Sequence, residues 1–385
     1  MAHITIIRHA EAEGNYYRRA HGQYDSLVTP NGEAQIGALR ERFRDVTFDA
    51  VYTSDMYRTR RTSSALRTLS GAAAVALPAL REIHLGDWED VPWGELAACD
   101  AKNLAVFTHE PGRFGRRGPS GESMGEARAR IFGAVRQLAK RHTGERIAIV
   151  SHGLVIRALL AALKGLPPGR LHEIPHCDNT AVTRVVWDGV SAPRVLVHGD
   201  NVHLGELSTL GRQHWWRKDS RLTDTNLWFQ PAILPRDLPR TLRCLQDAWQ
   251  TVYGTMNGFN DEISNAHTER MAAAHKRAVM FVMRDDRPVG LLQLDTEMVS
   301  PDNTGHVALI YLSPDARGRE LGAQLVGHAV SVYRALGREA LHLRVAESNR
   351  PARRLYEKVG FLETGRETGQ QEELIVMKMG ISIDN

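Results

Sequence analysis

Three short runs of mostly apolar residues limit most strongly what this chain can fold into. They lie at Ile4 to Ile7, Asp49 to Ser54 and Ile147 to Ser151. A continuous apolar run suits a strand that is buried on both faces, as in a parallel sheet covered by helices. Because ligands of such sheets collect beyond the carboxyl ends of the strands, we expect the chemistry of this chain at the residues that follow these runs.

Charged or imidazole side chains follow each of the three runs. Arg8 and His9 come directly after the first run, Arg58 shortly after the second, and His152 directly after the third. A fourth motif, Leu80-Arg-Glu82, precedes the segment His84-Leu-Gly-Asp-Trp-Glu89. An arginine–histidine pair alone is weak support for a site, because Arg141-His142 also occurs at the end of a predicted helix. The inference therefore depends on all four motifs together.

In their order these four motifs resemble the histidine phosphatase superfamily, the phosphoglycerate mutase-like group, over about the first 205 residues. The resemblance implies an α/β/α sandwich with a mostly parallel sheet. It also implies hydrolysis of a phosphate ester through a phosphohistidine, with His9 as the nucleophile and Arg8, Arg58 and His152 as donors to the phosphate oxygens. Glu82 matches the acid that protonates the leaving group, a role that requires a raised pKa.

The segment between His9 and the next predicted helix is rich in turn-forming residues, so we expect a loop over the carboxyl edge of the sheet. Thr29 and Pro30 predict the N-cap and the first residue of that helix. The resemblance implies that Asn15, His21 and Gly22 cradle the phosphate, and ordinary loop capping is the alternative for Asn15 and His21. Substrate choice is expected within residues 92 to 122, which proline and glycine punctuate.

A zinc motif is one interpretation of His172-Glu-Ile-Pro-His176, because its two histidines have the spacing of ligands on one helical face. This interpretation needs an uninterrupted helix, whereas Pro175 lies inside the motif. We therefore expect no zinc here. Phosphohistidine chemistry requires no metal, and the sequence shows no acidic metal cluster.

The second half of the chain has a pattern of its own. Apolar runs at Val279 to Met283 and Val289 to Leu294 predict a hairpin, and Val307 to Leu312 predicts another strand. Two segments follow, Ser313-Pro-Asp-Ala-Arg-Gly-Arg-Glu-Leu-Gly-Ala323 and Asn349-Arg-Pro-Ala-Arg-Arg-Leu-Tyr-Glu-Lys-Val-Gly-Phe361. Their order and sequence resemble the GNAT family of acyl-CoA-dependent N-acyltransferases over roughly residues 225 to 380. The resemblance implies a mixed α/β domain with a splayed central sheet.

This second resemblance assigns roles to several residues. Tyr356 matches the tyrosine that protonates the departing thiolate, although its position also suits the core face of an amphipathic helix. His306 stands where many relatives keep a glutamate that relays the amine proton, and a strand-edge role is the alternative. Glu320 departs from the family, which has glycine there, and its carboxylate would either repel the CoA pyrophosphate or point to solvent. Acetyl-CoA contacts are implied for Leu312, Arg317, Gly318, Arg319, Leu321, Gly322, Ala323 and Asn349.

Length and composition indicate two globular domains. A chain of 385 residues exceeds one ordinary core, so we predict domains at 1–205 and 225–385 with a linker at 206–224. The formal net charge of +4 is small beside 49 basic and 45 acidic residues, which gives no case for a nucleic-acid partner. No apolar stretch approaches the about 20 residues of a membrane span, and a cleaved signal peptide would remove His9. A reducing cytoplasm fits the three widely spaced cysteines, Cys99, Cys177 and Cys244.

The sequence therefore predicts a bifunctional enzyme that acts on small molecules. Its first half would hydrolyse a phosphorylated metabolite, and its second half would transfer an acetyl group from acetyl-CoA to an amine. A phosphoglycerate-type mutase is one alternative, which the short stretch between Glu82 and Gly121 disfavours because mutases of the family usually carry longer insertions. Another alternative keeps the phosphatase and makes the second half a CoA-sensing or substrate-docking module without catalysis, which Glu320 supports. The sequence leaves both substrates and the oligomeric state open.

Overall fold

The computed structural model describes residues 1–210, 226–298 and 302–383 of the chain. Two compact units are present, Met1–Val91 with Cys99–Thr223 and Pro92–Ala98 with Asp224–Asn385. The first residues of the predicted linker belong to the first unit, where Thr209 is buried. The remainder of that predicted linker, 211–224, lies outside the described residues. The domain limits therefore stay a prediction.

A six-stranded sheet lies at the centre of the first unit. Its strands are β1 (Ala2–Arg8), β2 (Ala50–Thr53), β3 (Val75–Ala76), β4 (Arg146–Ser151), β5 (Val182–Trp187) and β6 (Arg194–Asp200). Their order is β3-β2-β4-β1-β5-β6, and the first four are parallel to one another, whereas β5 pairs antiparallel with β1 and with β6. The three apolar runs thus form strands, and the mostly parallel sheet is confirmed.

The two central strands, β1 and β4, bring their carboxyl ends to the same edge of the sheet. Ile6, Ile7 and Ile149 are at most 1% exposed, as expected for strands covered on both faces. The register pairs Arg8 with Ser151. The residues that follow, His9 and His152, therefore leave the sheet side by side.

The helices between these strands along the chain are α1 (Glu13–Tyr16), α2 (Pro30–Arg42), α3 (Tyr57–Ser63), α4 (Trp93–Cys99), α5 (Ala101–His109), α6 (Met124–Arg141) and α7 (Gly153–Leu163). Of these, α4 belongs to the second unit except for its last residue. Thr29 caps α2 by accepting the Gly32 N–H at 3.0 Å, and Pro30 is its first residue, as predicted. Helix α1 interrupts the expected loop. Residues 92 to 122 contain α4, α5 and a 3₁₀ turn at Pro111–Arg113.

A seven-stranded sheet forms the second unit. Its strands are β7 (Trp228–Pro231), β8 (Val279–Arg284), β9 (Arg287–Asp295), β10 (Thr304–Leu312), β11 (Ala340–Ala346), β12 (Leu362–Thr368) and β13 (Glu373–Gly380). They run in the order β12-β13-β11-β10-β9-β8-β7, and β8 and β9 form the predicted hairpin. The pair β10 and β11 is parallel, and its pairing stops at Val307 and Leu343 although both strands continue. The mixed, splayed sheet is confirmed.

Four described helices accompany this sheet: α8 (Leu238–Tyr253), α9 (Asp261–Ala274), α10 (Gly322–Ala335) and α11 (Arg350–Val359). The first two residues of α10 are buried, and a Cβ on Gly322 would lie 2.4 Å from Leu355 Cδ2. Glycine at this position therefore allows α10 and α11 to approach closely. Within residues 1–210, 226–298 and 302–383, no helix is both long and apolar enough to cross a bilayer.

Candidate active site

His9 lies at the end of β1 in a fixed orientation. Its backbone N–H donates to Ser151 O at 2.9 Å, and its ring Nδ1 lies 2.7 Å from Ala10 O. A carbonyl oxygen can only accept, so Nδ1 carries the ring proton and Nε2 keeps the lone pair. Burial, followed by the charges of Arg58 and Arg8, holds the pKa of His9 well below its ordinary value. The ring is therefore a neutral imidazole with a nucleophilic Nε2.

Arg8 lies next to the turn that starts α7. One terminal nitrogen of its guanidinium donates to Cys177 O at 2.7 Å. A Cβ on Gly153 would lie 3.0 Å from Arg8 Nε, so glycine after His152 leaves room for the guanidinium. In the His152-Gly153 motif, His152 therefore lies beside His9, and Gly153 leaves room for Arg8.

Arg58 is a second guanidinium in the site, and it is only 2% exposed. It donates to Gly22 O at 2.6 Å and to Tyr24 O at 3.0 Å, and the Asp25 carboxylate lies 3.7 Å away. Carbonyl oxygens orient the group without cancelling its charge. Arg58 is therefore a buried cation placed to attract an anion.

His152 is fully buried, and its ring centroid lies 5.2 Å from that of His9. Neither of its ring nitrogens has a hydrogen-bond partner among the described residues. Burial, followed by the charges of Arg58 and His9, holds its pKa well below the ordinary value. Unsatisfied buried nitrogens are costly, and a bound anion would satisfy them and raise this pKa.

Glu82 receives three backbone N–H groups. Its carboxylate accepts from Ile83 at 3.0 Å and from Leu154 and Val155, in the first turn of α7, at 2.9 and 3.0 Å. Burial raises the pKa of Glu82, although these N–H groups and Arg58 act in the opposite direction. The structure thus places a carboxyl group with a raised pKa beside the helix that follows His152.

Glu89, which the sequence analysis did not select, organises the loop after α1. Its carboxylate accepts the backbone N–H groups of Gly22, Gln23 and Tyr24 at 3.0, 2.7 and 2.8 Å, and that of Leu85 at 2.9 Å. The Gly22 N–H is therefore bound to Glu89, and its expected phosphate role stays a prediction. Gly22 instead acts through its carbonyl, which holds the buried guanidinium.

His21 is tied to a carboxylate near this loop. Its Nε2 lies 3.0 Å from Asp90 Oδ1, which also binds Arg19 Nε at 2.6 Å. Although burial acts to raise it, the pKa of Asp90 is held well below its ordinary value by Arg19 and His21. The expected phosphate role of His21 is untested by these contacts, which use one of its two ring nitrogens.

Asn15 is held by two donors, one of them on a residue that the sequence analysis missed. Its Oδ1 accepts the Ala12 N–H at 3.1 Å and lies 3.4 Å from Asn179 Nδ2. Asn179 also donates to His9 O at 2.8 Å. No local sequence signal at Asn179 reveals its contact with His9, which lies 170 residues away.

Tyr356 is the principal candidate in the second unit. It lies on α11, is 7% exposed, and packs against Phe361 with ring centroids 5.7 Å apart. Burial raises its pKa, so the phenol keeps its proton. Asn349 caps this helix by accepting the Ala352 N–H at 3.3 Å, a structural role that uses its side-chain oxygen.

The turn before α10 contains the departure from the family pattern. Gly318 has φ +72° and Glu320 has φ +57°, the left-handed region that favours glycine. Glu320 forms an ion pair with Lys358 of α11. Residues 317–320 are exposed, whereas Leu321 and Ala323 are buried. Helix α10 begins at Gly322, so most of the predicted CoA segment is the turn itself.

The side chain of Arg317 is used within the protein. Its Nε donates to Leu312 O at 2.8 Å, and a terminal nitrogen lies 3.2 Å from Asp247 Oδ2. Asp247 also accepts the Tyr311 hydroxyl at 2.7 Å. Arg317 therefore connects the end of β10 to α8.

His306 lies on β10 and is 8% exposed. Its ring stacks on that of His342 of β11 with centroids 4.5 Å apart. Burial, followed by the charge of His342, lowers the pKa of His306 to about 4. A neutral imidazole is able to accept a proton, but one with so low a pKa is a weak base.

The His172–His176 motif does not lie on one helical face. A 3₁₀ helix covers Pro168–Glu173 and ends before Pro175. Across the residues that the structure describes, no group of three or more metal-ligating side chains is found.

Two family models match the chain. Residues 4–201 match the histidine phosphatase superfamily (branch 1), and residues 242–361 match the acetyltransferase (GNAT) family.

Curated relatives and solved structures, including the three that follow, resemble part of the chain. A probable phosphoglycerate mutase GpmB of Photorhabdus laumondii is 34% identical over 168 residues, 43% of this chain and 77% of the relative. Its counterpart in Erwinia tasmaniensis is 33% identical over 187 residues, 48% of this chain and 85% of that protein. The structure of Bacillus stearothermophilus YhfR superposes with a TM-score of 0.50 and 32% identity, and the match covers 53% of this chain and 99% of YhfR.

Proposed function

This chain belongs to the histidine phosphatase superfamily and carries a GNAT acetyltransferase domain, and from that premise we propose that its first unit hydrolyses a phosphomonoester through a phosphohistidine on His9. The observation that carries the proposal is the hydrogen bond from His9 Nδ1 to Ala10 O at 2.7 Å. That bond leaves the lone pair of Nε2 free to attack, beside the half-buried guanidinium group of Arg8 and the buried one of Arg58.

In the first step Nε2 of His9 attacks phosphorus and the bond from phosphorus to the leaving oxygen breaks. Arg8 and Arg58 stabilise the negative charge on the remaining phosphate oxygens, and His152 donates a hydrogen bond to them. Glu82 gives its proton to the leaving oxygen. In the second step ionised Glu82 takes a proton from water, which attacks phosphorus and restores neutral His9.

Two assays test this proposal. A panel of phosphorylated metabolites is incubated with the wild-type protein and with His9→Ala, and released inorganic phosphate is measured. We expect release that depends on His9 and persists after chelation of divalent metals. Activity that survives in His9→Ala would remove the assignment.

A mutase is the second candidate, because the curated relatives are named probable phosphoglycerate mutases. Both reactions use the same nucleophile and acid. The segment between Glu82 and Gly121 is short and holds two short helices and two 3₁₀ turns, which is little cover for retaining a phosphoenzyme away from water. We therefore favour hydrolysis. The product decides, since a mutase returns an isomerised phosphate ester and a phosphatase returns inorganic phosphate.

For the second unit we propose N-acetylation of an amine, with acetyl-CoA supplying the thioester. Tyr356, a buried phenol that keeps its proton, would protonate the departing thiolate. The gap that opens where β10 and β11 stop pairing, after Val307 and Leu343, fits a ligand that inserts between two strands. His306 would accept the amine proton.

A CoA-sensing or substrate-docking module without catalysis is the alternative for the second unit, and Glu320, which stands where the family has glycine, supports it. Acetyl-CoA turnover with a panel of amines separates the two. Binding of CoA without turnover would favour the module.

The two activities would share a metabolite that carries both a phosphate and an amine, such as an amino sugar phosphate or an amino alcohol phosphate. We propose a reducing compartment such as the cytoplasm for this enzyme, consistent with three free cysteines. Each predicted domain, 1–205 and 225–385, should be assayed with the same metabolites. If the best phosphatase substrate lacks an amine and its product is never acetylated, the shared pathway fails.

A further inference from the structure

Asn179 is hydrogen-bonded to the backbone of His9, the proposed nucleophile, and the mechanism above gives it no role. We propose that Asn179 is a positioning residue that fixes the backbone of His9 and sets which end of the Asn15 amide faces the phosphate. This inference rests on the proposed phosphatase function.

The first contact is with the backbone of the nucleophile. Asn179 is fully buried, and its Nδ2 donates to His9 O at 2.8 Å. The Thr180 N–H approaches the same oxygen at 3.4 Å and Arg8 O at 3.1 Å. His9 is thus held through its N–H by Ser151 and through its carbonyl by Asn179, so its ring has a fixed origin.

The second contact is with Asn15. Its Oδ1 accepts the Ala12 N–H at 3.1 Å and lies 3.4 Å from Asn179 Nδ2. Two donors at Oδ1 prevent the amide from turning over, because the other orientation would place its own N–H groups against them. The NH₂ end of Asn15 is therefore the end that is left for a phosphate oxygen, a ligand that only accepts.

The orientation of Asn179 is itself fixed by a buried carboxylate. Asp178 is 1% exposed and accepts the Asn179 N–H at 2.9 Å, Thr209 Oγ1 at 2.9 Å and Ser208 Oγ at 2.5 Å. Thr209 Oγ1 also lies 3.1 Å from Asn179 Oδ1. Thr209 has one hydroxyl proton, which either Asp178 Oδ1 or Asn179 Oδ1 can accept. The Nδ2 group of Asn179 has acceptors at His9 O and Asn15 Oδ1, and these contacts keep Nδ2 toward both residues.

Two substitutions test the proposal. Asn179→Ala removes the donor, and Asn179→Asp places a carboxylate oxygen against His9 O and Asn15 Oδ1. We measure binding of inorganic phosphate by calorimetry, and kcat and KM with 4-nitrophenyl phosphate. Loss of a buried hydrogen bond predicts a fall in phosphate affinity of roughly 10-fold for Asn179→Ala, and about 100-fold for Asn179→Asp because two acceptors then oppose each other. Both variants should also lower kcat.

Asn201→Ala is the matched control. Asn201 Nδ2 binds the same Asp178 carboxylate at 3.2 Å, and its side chain is distinct from the donor that holds His9. We expect this variant to lower the unfolding temperature as Asn179→Ala does, with phosphate affinity and kcat changed less than about 3-fold, as for other weak polar contacts. Equal losses of affinity in both variants would mean that Asn179 acts through general stability, and would overturn the proposal.

A double-mutant cycle distinguishes positioning from an independent contribution. If Asn179 acts on phosphate through Asn15 as well as through the backbone of His9, then Asn179→Ala should cause a smaller loss of phosphate affinity in an Asn15→Ala background than in the wild type. Fully additive losses would overturn the proposed action through Asn15. If Asn179 variants do not fold, Thr209→Val, which removes a partner of Asn179 Oδ1, should show the same non-additivity with a smaller effect. A wild-type protein that neither binds phosphate nor hydrolyses esters would instead refute the phosphatase function itself.

Discussion

The candidate active site around His9 in the first unit and the turn before α10 in the second, which we propose binds CoA and call the CoA turn, differ in how their charged side chains are paired. In the first, Arg58 donates to the carbonyls of Gly22 and Tyr24 at 2.6 and 3.0 Å, and the Asp25 carboxylate lies farther away at 3.7 Å. In the second, Arg317 is paired with the Asp247 carboxylate and Glu320 with Lys358. The charges at the turn are therefore paired at hydrogen-bond distance, whereas the guanidinium of Arg58 is held mainly by neutral carbonyls.

This difference shows that a sequence motif supports a functional assignment only where the surrounding residues fit the chemistry. The first motif set has surroundings that match the chemistry: a neutral His9, an unsatisfied His152 and a carboxyl group with a raised pKa. The second has a buried phenol in place but a pyrophosphate turn altered at Glu320. The first unit therefore fits its proposed chemistry more closely than the second unit does.

The largest effect is expected for His9→Ala. Loss of a covalent nucleophile lowers the rate by roughly 10⁴–10⁶-fold, so hydrolysis and acid-labile, base-stable phosphate labelling should disappear together. The exposed His172, which belongs to the rejected zinc motif, provides the control: His172→Ala should keep full activity. Labelling that persists in His9→Ala would show that His9 is not the nucleophile of the first unit.

Glu82→Gln should have the next largest effect, and its size should depend on the leaving group. General acid help contributes about 10²–10⁴-fold where a poor leaving group needs a proton. Alkyl phosphates should therefore lose that factor, and aryl phosphates much less. Steady-state kinetics with both classes measure it, and equal losses would take Glu82 out of the acid role.

The free energy of unfolding should decrease in both units as the pH is lowered. The folded-state pKa values of His9 and His152 lie below the ordinary 6.5, and that of His306 is about 4. Below pH 6.5 the unfolded chain binds protons that the folded chain does not, so stability decreases as pH falls, by up to about 1.4 kcal/mol per pH unit for each histidine. Denaturant unfolding between pH 7 and pH 5 measures this, and His152→Gln should flatten the dependence of the first unit. A slope that is unchanged in this variant would contradict the buried neutral state.

The smallest effect is expected at the CoA turn. Glu320→Gly relieves a left-handed backbone worth about 1 kcal/mol and removes a charge that repels pyrophosphate, so both stability and acetyl-CoA affinity should rise. Glu320→Ala is the matched control, because it removes the charge and keeps the backbone cost. The loss of the exposed pair with Lys358 should matter little. If acetyl-CoA affinity is unchanged in both variants, Glu320 points away from the pyrophosphate.

Local signals allowed much of this molecule to be predicted. Apolar runs located β1, β2 and β4, and Thr29 with Pro30 located the start of α2, because strand burial and helix capping depend on neighbouring residues. The supporting contacts were not predictable in this way. Glu89 binds the loop at Gly22 from 67 residues away, and Arg317 turns to Asp247 across 70 residues. Such pairs form through the tertiary fold, and no spacing in the sequence encodes them.

The most direct test of the phosphohistidine mechanism is the position of phosphate on the trapped intermediate. The wild-type protein is quenched in base during turnover, and phosphorus NMR of the denatured phosphoenzyme distinguishes the two ring isomers after peptide mapping. Because the Nδ1–H group of His9 donates to Ala10 O, we expect phosphate on Nε2 of His9. Phosphate on Nδ1, or on another residue, would contradict it.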